Sequence, residues 1–436
     1  MKPVKVGLLG IGTVGGGTYK VLTRNREEIS RRTGCDIRLH VVADKDTARA
    51  NSVTGGTVKV VDDARQVVAD PEVDVVVELI GGYTIAKELM LAAIASGKHV
   101  ITANKALLAV HGNEIFAAAR AKGVIVAFEA AVGGGIPIIK SLREGLTANR
   151  IEWIAGIING TSNFILSEMR DKGAAFADVL KEAQRMGYAE ADPTFDIEGV
   201  DAAHKLSIMA AIGFGIPVQF EKAHVEGISK LAQQDIRYAE ELGYRIKLLG
   251  IAKRKAAGFE LRVHPTLIPS RQLIANVEGV MNAIQVKGDA VGQTLYYGAG
   301  AGSEPTASAV VADLVDVARM LNADPEHRVP YLAFQPDRLS DVPILPMGEV
   351  ETSYYLRLRV ADKAGVLADI TRIFADEAIS IEALVQKEAP AGEQHVDIIL
   401  LTHQTQEKKI DAAIARIEAL PVVSGQITRL RMEGLQ

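Results

Sequence analysis

The sequence predicts an α/β chain in three parts: a parallel sheet covered by helices, a central α+β domain, and a small C-terminal unit of order β-α-β-β-α-β. Three observations carry this reading. Up to residue 134, short apolar runs alternate with helical patterns, as successive βαβ units require. From residue 135 to 322 the helices lengthen and strand-like runs come later in the segment. After a Pro- and Asp-rich linker at 323–350, residues 351–436 carry the third pattern. A length of 436 residues also exceeds what one core accommodates, so two or three domains are expected.

Taken in order, the first strands are VKVGLLG, IRLHVVA, VDVVVELIG, KHVITA and GVIVAFEA. Between them TVGGGTYKVLTRNREEI, TIAKELMLAAIASG and GNEIFAAARAKG are apolar at helical spacing. In the central domain PIIKSLREGL, TSNFILSEMRDKG and VDAAHKLSIMAAIGF read as helices, with FELRVHPTLI and NAIQVKG as strands. The C-terminal unit has strands YYLRLRV, ISIEALVQKE, HVDIILLTH and QITRLRM, and helices VLADITRIFADEA and EKKIDAAIARIEAL.

Composition narrows the function classes. A formal net charge of -5 lacks the basic footprint of a nucleic-acid binder. The single cysteine, Cys35, excludes an intramolecular disulfide and points to a reducing compartment. A strand-like run starts almost at once, where a signal peptide would need a long apolar stretch. No apolar run reaches the ~20 residues that span a bilayer. The expectation is a cytoplasmic protein that binds neither membrane nor nucleic acid.

Between the first strand and first helix, Gly10, Gly12 and Gly15 form G-x-G-x-x-G, with Thr13 and Val14 inside it. The first glycine permits a tight turn, the second lets backbone approach a pyrophosphate, and the third allows close helix packing. The helix N-terminus that follows favours an anion, so a Rossmann-type site for NAD or NADP is expected. Asp44, ending the second strand, suits the ribose 2′-hydroxyl of NAD, whereas Lys45 and Arg49 suit the 2′-phosphate of NADP. The choice stays open. In HVITANKAL, Thr102, Asn104 and Lys105 lie at the carboxyl edge of a strand, where open α/β sheets bind ligands. GAGAGSEPTASAVVAD offers a second turn-to-helix anion site near Gly302 and Glu304, or a tight structural turn.

The stretch GYAEADPTFDIEGVDAAHKLSIM combines Glu190, Asp192, Asp196, Glu198 and Asp201 with Lys205, and runs straight into an apolar helix. Gly187 and Pro193 place Glu190, Asp192 and Asp196 on a loop. Asp201 and Lys205 are four apart, hence on one helical face. On a solvated helix that would be an ion pair of ~0.3–0.5 kcal/mol. The apolar neighbours argue instead for burial and for a lysine whose proton affinity is set by desolvation against carboxylates. The pocket so formed suits a substrate with an ammonium group and a reducible oxygen.

GLLGIGTVG, ITANKALLA, FEAAVGGGIPII, GIINGTSNFIL, GYAEADPTFDIEGVDAAHKL and GAGAGSEPTASAVVAD together resemble the homoserine dehydrogenase family. Its members interconvert L-homoserine and L-aspartate 4-semialdehyde with NAD(P), in the biosynthesis of threonine, methionine and isoleucine. The resemblance implies that the central domain is catalytic and dimerises, giving a homodimer or homotetramer. Lys205 would donate the proton to the aldehyde oxygen, and Asp201 would position it. Glu190 and Asp196 would face the substrate ammonium, with Tyr188 and Gly187 shaping the pocket. Lys105 would stand between cofactor and substrate. Gly160 and Thr161 would meet the substrate carboxylate. It also implies a monovalent cation, sodium, on oxygens of Glu129, Val132, Gly134 and Ile136, where a simple glycine hinge is the alternative.

The C-terminal unit resembles an ACT domain, a ferredoxin-like module that often binds amino acids. Asp362, Gly365, Val366 and Leu367 match its D-x-x-G-V-L turn. This implies feedback, with L-threonine as the effector, or a module retained only for assembly. No kinase-like segment precedes Met1, so a monofunctional chain is expected. Two other readings stand beside this one. Another amino-acid-linked dehydrogenase or semialdehyde reductase would be favoured if the pocket around Glu190 and Asp196 rejected homoserine. A non-catalytic amino-acid sensor would have no use for the Asp201–Lys205 pair.

Overall fold

Six parallel strands form the first sheet of the chain, whose computed structural model describes residues 3–321, 323–387 and 392–435. They are β1 (Val4–Leu9), β2 (Ile37–Ala43), β3 (Lys59–Val61), β4 (Val75–Glu78), β5 (His99–Thr102) and β6 (Val126–Ala127), in the order β3-β2-β1-β4-β5-β6. Helices cover both faces, so β1 buries Val4, Val6, Leu8 and Leu9, and β4 is buried throughout. The order reverses between β1 and β4, which opens a crevice beyond their carboxyl ends.

Local deviations from the sequence reading have physical causes. The helix expected after the glycine turn is two helices, Thr13–Arg24 and Arg26–Thr33, meeting at Asn25. GVIVAFEA contributes only two paired residues, and β3 is three residues long, too short to show a period. PIIKSLREGL is a short turn, Ile138–Lys140, running into a π-helical segment, Ser141–Gly145.

The second sheet has eleven strands. They are β7 (Ile151–Ile157), β8 (His224–Val225), β9 (Tyr244–Arg254), β10 (Phe259–Pro269), β11 (Met281–Gly288), β12 (Gly292–Ala299), β13 (Glu351–Ala361), β14 (Ile381–Gln386), β15 (His395–Thr402), β16 (Thr405–Gln406) and β17 (Thr428–Met432). Nine follow the path β12-β11-β7-β9-β10-β17-β13-β15-β14, with β8 on β10 and β16 on β13. The helix Val200–Phe214 packs on β7, β9 and β10.

The C-terminal unit has the expected β-α-β-β-α-β order, its helices being Val366–Asp376 and Glu407–Glu418. It does not stand apart. β17 pairs in parallel with β10, Thr266 facing Arg431 and Leu267 facing Met432, so the two units share one sheet. The seam is filled with charge. Arg431, 1% exposed, donates to Glu407 from Nε (2.8 Å) and to both oxygens of Glu226 (2.8 and 2.9 Å). Arg262 binds Glu260 at 2.9 Å and also Glu433, which Lys253 meets from β9. Burial alone would raise the Glu433 carboxyl, but Arg262 and Lys253 bring it down to about 2.

Residues 323–350 pack rather than span free. Tyr331 stacks on Phe116 (5.4 Å), its hydroxyl donates to the Val124 carbonyl, and Ser340 N donates to Gly215 O (2.6 Å). The boundary residue Asn322 and Glu388, the end of ISIEALVQKE, lie outside the described residues. Among those described, no helix is long and apolar enough to cross a membrane.

Removing one partner of a buried ion pair strands the others without water. Arg431→Ala, which leaves Glu407 only Arg429 and the Tyr354 hydroxyl and leaves Glu226 chiefly His224, is therefore expected to cost about 3 kcal/mol, read as a lower midpoint of urea unfolding.

Candidate active site

The crevice begins at the glycine turn. Gly10 has φ +90°, and a Cβ there would lie 2.9 Å from the Leu79 carbonyl. A Cβ on Gly15 would sit 2.2 Å from the Gly10 carbonyl, so the helix can approach only with glycine at that point. A Cβ on Gly12 meets nothing within 4 Å, which leaves an open face where a pyrophosphate would approach. The helix starting at Thr13 and Val14 has no side-chain cap and no acid in its first turn. Its free N–H groups and dipole therefore favour an anion. These residues fit a dinucleotide.

The helix Ser303–Met320 closes against this turn. Gly17, outside the motif, is needed for the contact, because a Cβ would lie 2.5 Å from Ser303 O. Ser303 Oγ donates to Thr13 O at 2.8 Å, and Gly302 takes φ +118°. The exposed Glu304 pairs with Arg24 at 2.7 and 3.1 Å. The second turn thus abuts the first, while its carboxylate faces a protein arginine.

Asp44 is turned toward the glycine loop. Its Oδ2 accepts Ile11 N (2.8 Å) and its Oδ1 accepts Asp46 N (2.9 Å). Lys45 and Arg49 are exposed beside it. Thr102 is fully buried and donates to Glu78 Oε2 (2.7 Å), whose other oxygen accepts Ile80 N and Gly81 N. Asn104 caps the helix Lys105–Lys122 at Leu107 N (3.1 Å) and holds Gly82 O (2.7 Å). These two side chains pin the loops after β4 and β5, and of the three only Lys105 reaches the charged centre.

That centre is Asp201. Every residue from Asp201 to Phe214 is buried, so the i, i+4 pair with Lys205 is no solvated ion pair. Asp201 Oδ2 takes Lys205 Nζ at 2.7 Å, and Oδ1 lies 3.1 Å from Lys105 Nζ. Burial would raise the Asp201 carboxyl, but the two ammonium groups hold it well below the usual carboxylate range. Asp201 in turn raises Lys105, against its burial, with help from Asp196 and Glu190. Lys205 Nζ also donates to Ile158 O (2.7 Å). An ammonium has three donors, so one remains for a ligand oxygen.

Around this core, Asp196 lies not on a loop but on the short helix Thr194–Ile197 that Pro193 starts, and burial raises it, while Glu190 is exposed on its loop. Gly187 turns with φ +76°, and Tyr188 lays its ring edge on Phe164 (5.0 Å). Thr161 Oγ1 donates to Tyr188 O at 2.6 Å. Gly160 opens the helix Gly160–Lys172, where a Cβ would lie 2.7 Å from Val280 O. The N-cap Asn159 was missed by sequence reasoning. Its Oδ1 accepts Ser162 N (2.8 Å), and its Nδ2 donates to Asp196 Oδ1 (2.7 Å) and Asp201 Oδ2 (2.9 Å). The available signal was an Asn directly before a helix.

The proposed cation turn lies between the domains. Burial lifts the Glu129 carboxyl to about 7, although Lys140 N and Ile139 N both donate to it. Asp313, whose Oδ2 accepts Glu129 N (2.9 Å), is raised well above its ordinary value by burial and by Glu129. Gly134 has φ +55°, and Ile136 O accepts Ile138 N at 2.8 Å. Both Glu129 oxygens and Ile136 O thus already accept backbone N–H groups, and a cation there would draw on the remaining carbonyl oxygens of the turn. In the C-terminal unit Asp362 and Gly365 are exposed and Gly365 has φ +95°, whereas Val366 is buried in the core and Leu367 half-buried.

Comparison with known proteins follows the same division. Residues 137–315 match the homoserine dehydrogenase family, 10–129 its NAD-binding domain, and 354–422 the ACT domain. The homoserine dehydrogenase of Pseudomonas aeruginosa is 64% identical over 435 residues, covering 100% of both chains. That of Bacillus subtilis is 39% identical over 100% of this chain and 99% of its own. Among solved structures, a homoserine dehydrogenase from Thiobacillus denitrificans is 69% identical with a TM-score of 0.96, covering 100% of this chain and 99% of that one. A hyperthermophilic archaeal homoserine dehydrogenase in complex with NADPH is 25% identical with a TM-score of 0.63, covering 74% of this chain and 99% of that one.

The two glycines separate folding from binding. Gly12→Val is expected to fold as the parent does yet bind dinucleotide at least about tenfold more weakly, by fluorescence titration. Gly15→Val, which drives a Cβ into the Gly10 carbonyl, is expected to lower the melting temperature as well.

Proposed function

The chain belongs to the homoserine dehydrogenase family, and from that premise we propose that it interconverts L-homoserine and L-aspartate 4-semialdehyde with a nicotinamide dinucleotide. The observation that carries the reading is the buried Asp201–Lys205 pair with one lysine donor left over. When bound, the nicotinamide supplies a hydride to the carbonyl carbon, or takes it back from homoserine. Lys205 donates its remaining N–H to the carbonyl oxygen, stabilises the negative charge growing there, and delivers the proton that completes the alcohol. In the reverse direction Lys205 accepts that proton. Asp201 keeps the ammonium aimed and stays ionised throughout. Asp196 and Glu190 take the substrate ammonium, and Lys105 balances their charge. The first turn of the helix Gly160–Lys172 takes the carboxylate.

For the cofactor, we infer that NADPH is accepted, with Lys45 and Arg49 on its 2′-phosphate. Both cations are exposed, and the Asp44 carboxylate they flank is turned to backbone N–H groups. A monovalent cation on the Glu129–Ile136 turn would offset the two buried acids and stiffen the hinge. The C-terminal unit is proposed to bind L-threonine at Asp362 and Gly365 and to act on a homodimer or homotetramer through different affinities in two states.

The test follows NADPH and NADH absorbance after L-aspartate 4-semialdehyde is added, with and without L-threonine. Oxidation of either cofactor is expected, and none from folded protein overturns the reading. Lys205→Ala is expected to lose about 10²–10⁴ in kcat while still binding dinucleotide. Lys45→Ala with Arg49→Ala is expected to raise KM for NADPH about tenfold or more and leave KM for NADH unchanged.

A further inference from the structure

We propose that Asn159 is the positioning residue that sets the spacing between the two ends of the substrate pocket, an inference that rests on the homoserine dehydrogenase reading. Its planar amide has two N–H groups, and both are used: one on Asp196 Oδ1 at 2.7 Å, the other on Asp201 Oδ2 at 2.9 Å. Asp196 receives the substrate ammonium, and Asp201 aims the Lys205 proton donor from the same Oδ2 that Asn159 holds. The amide oxygen takes Ser162 N, which fixes the helix start where the substrate carboxylate docks. Asn159 is 5% exposed, and every hydrogen-bonding atom of its side chain is engaged. One rigid group therefore ties together the receptors for ammonium, carboxylate and reacting oxygen.

No other residue type does this. Aspartate would cap the helix equally well but would place a third carboxylate against the other two. Serine would cap the helix too, without reaching both acids. The charged or titratable groups facing the pair are Lys105 from the helix Lys105–Lys122, Lys205 and His204 from the helix Val200–Phe214, and Glu190 from the loop. His204 is held neutral, lowered to about 4 chiefly by burial between Phe195 and Phe220. The two carboxylates thus keep their charge through two lysines and one amide. Donors to a carboxylate stabilise its ionised form, so losing the amide raises the pH at which Asp196 takes a proton.

The experiment compares Asn159→Ser and Asn159→Asp with the parent. Turnover of L-homoserine by the parent is measured first and tests the family reaction alone. With that established, Asn159→Ser is expected to lose about 10²-fold in kcat/KM for homoserine, the loss expected of roughly 1 Å of misplacement. The acidic limb of its pH profile should move to higher pH, with KM for the dinucleotide unchanged. Asn159→Asp should shift the limb further. A residue serving only as a helix cap would leave Asn159→Ser with the parental kcat/KM and pH profile, and that result overturns the proposal. Asn159→Ser adds no charge, so it decides the matter even where Asn159→Asp fails to fold.

Discussion

Asp201 carries a negative charge at a place where almost no water remains, and two lysines are the reason it can. Lys205 at 2.7 Å and Lys105 at 3.1 Å offset a desolvation cost that would otherwise neutralise the acid. The dependence runs both ways, since Lys205 would not sit so deep without the carboxylate. Lys105 comes from the helix that follows β5 and Lys205 from the central domain, so this cluster also registers the two domains against each other.

A second set of contacts holds the same two domains together at the glycine turn. The helix Ser303–Met320 belongs in sequence to the central domain, yet it lies on the glycine helix through Gly17 and Thr13. Farther along, its Asp313 receives the backbone N–H of Glu129. The dinucleotide site is therefore roofed by a segment nearly three hundred positions away, as the Ser303–Thr13 bond makes plain.

What the sequence showed and hid follows from the range of the forces involved. Alternating strands and helices, the glycine motif and the i, i+4 pair are local, and each was legible. The burial of Asp201 and Lys205 was readable because their neighbours Ala202, Ala203, Leu206, Ile208 and Met209 are apolar over much of the helix circumference. Thr102 and Asn104 lay at the right edge of the sheet, but whether a side chain faces a ligand or its own loop depends on Glu78 and Gly82, which periodicity does not rank. Asn159 hid for a similar reason: its cap is local, while its partners Asp196 and Asp201 are 37 and 42 residues away. The junction of β10 with β17 was out of reach altogether, because each strand reads as an ordinary member of its own domain.

That junction has a mechanical meaning. Modules joined by a flexible tether signal by swinging, and their message is an angle. Here Thr266 and Arg431 share a ladder, and their neighbourhood is packed with paired charge. Rigid-body rotation would tear the ladder, so the C-terminal unit is confined to small amplitudes, a change of strand twist or pleat. Close-packed sheets pass such distortions along with little loss. The lever is short and stiff: Glu226, gripped by Arg431, is followed at once by Gly227 and Ile228, which rest on the turn that carries Asp196.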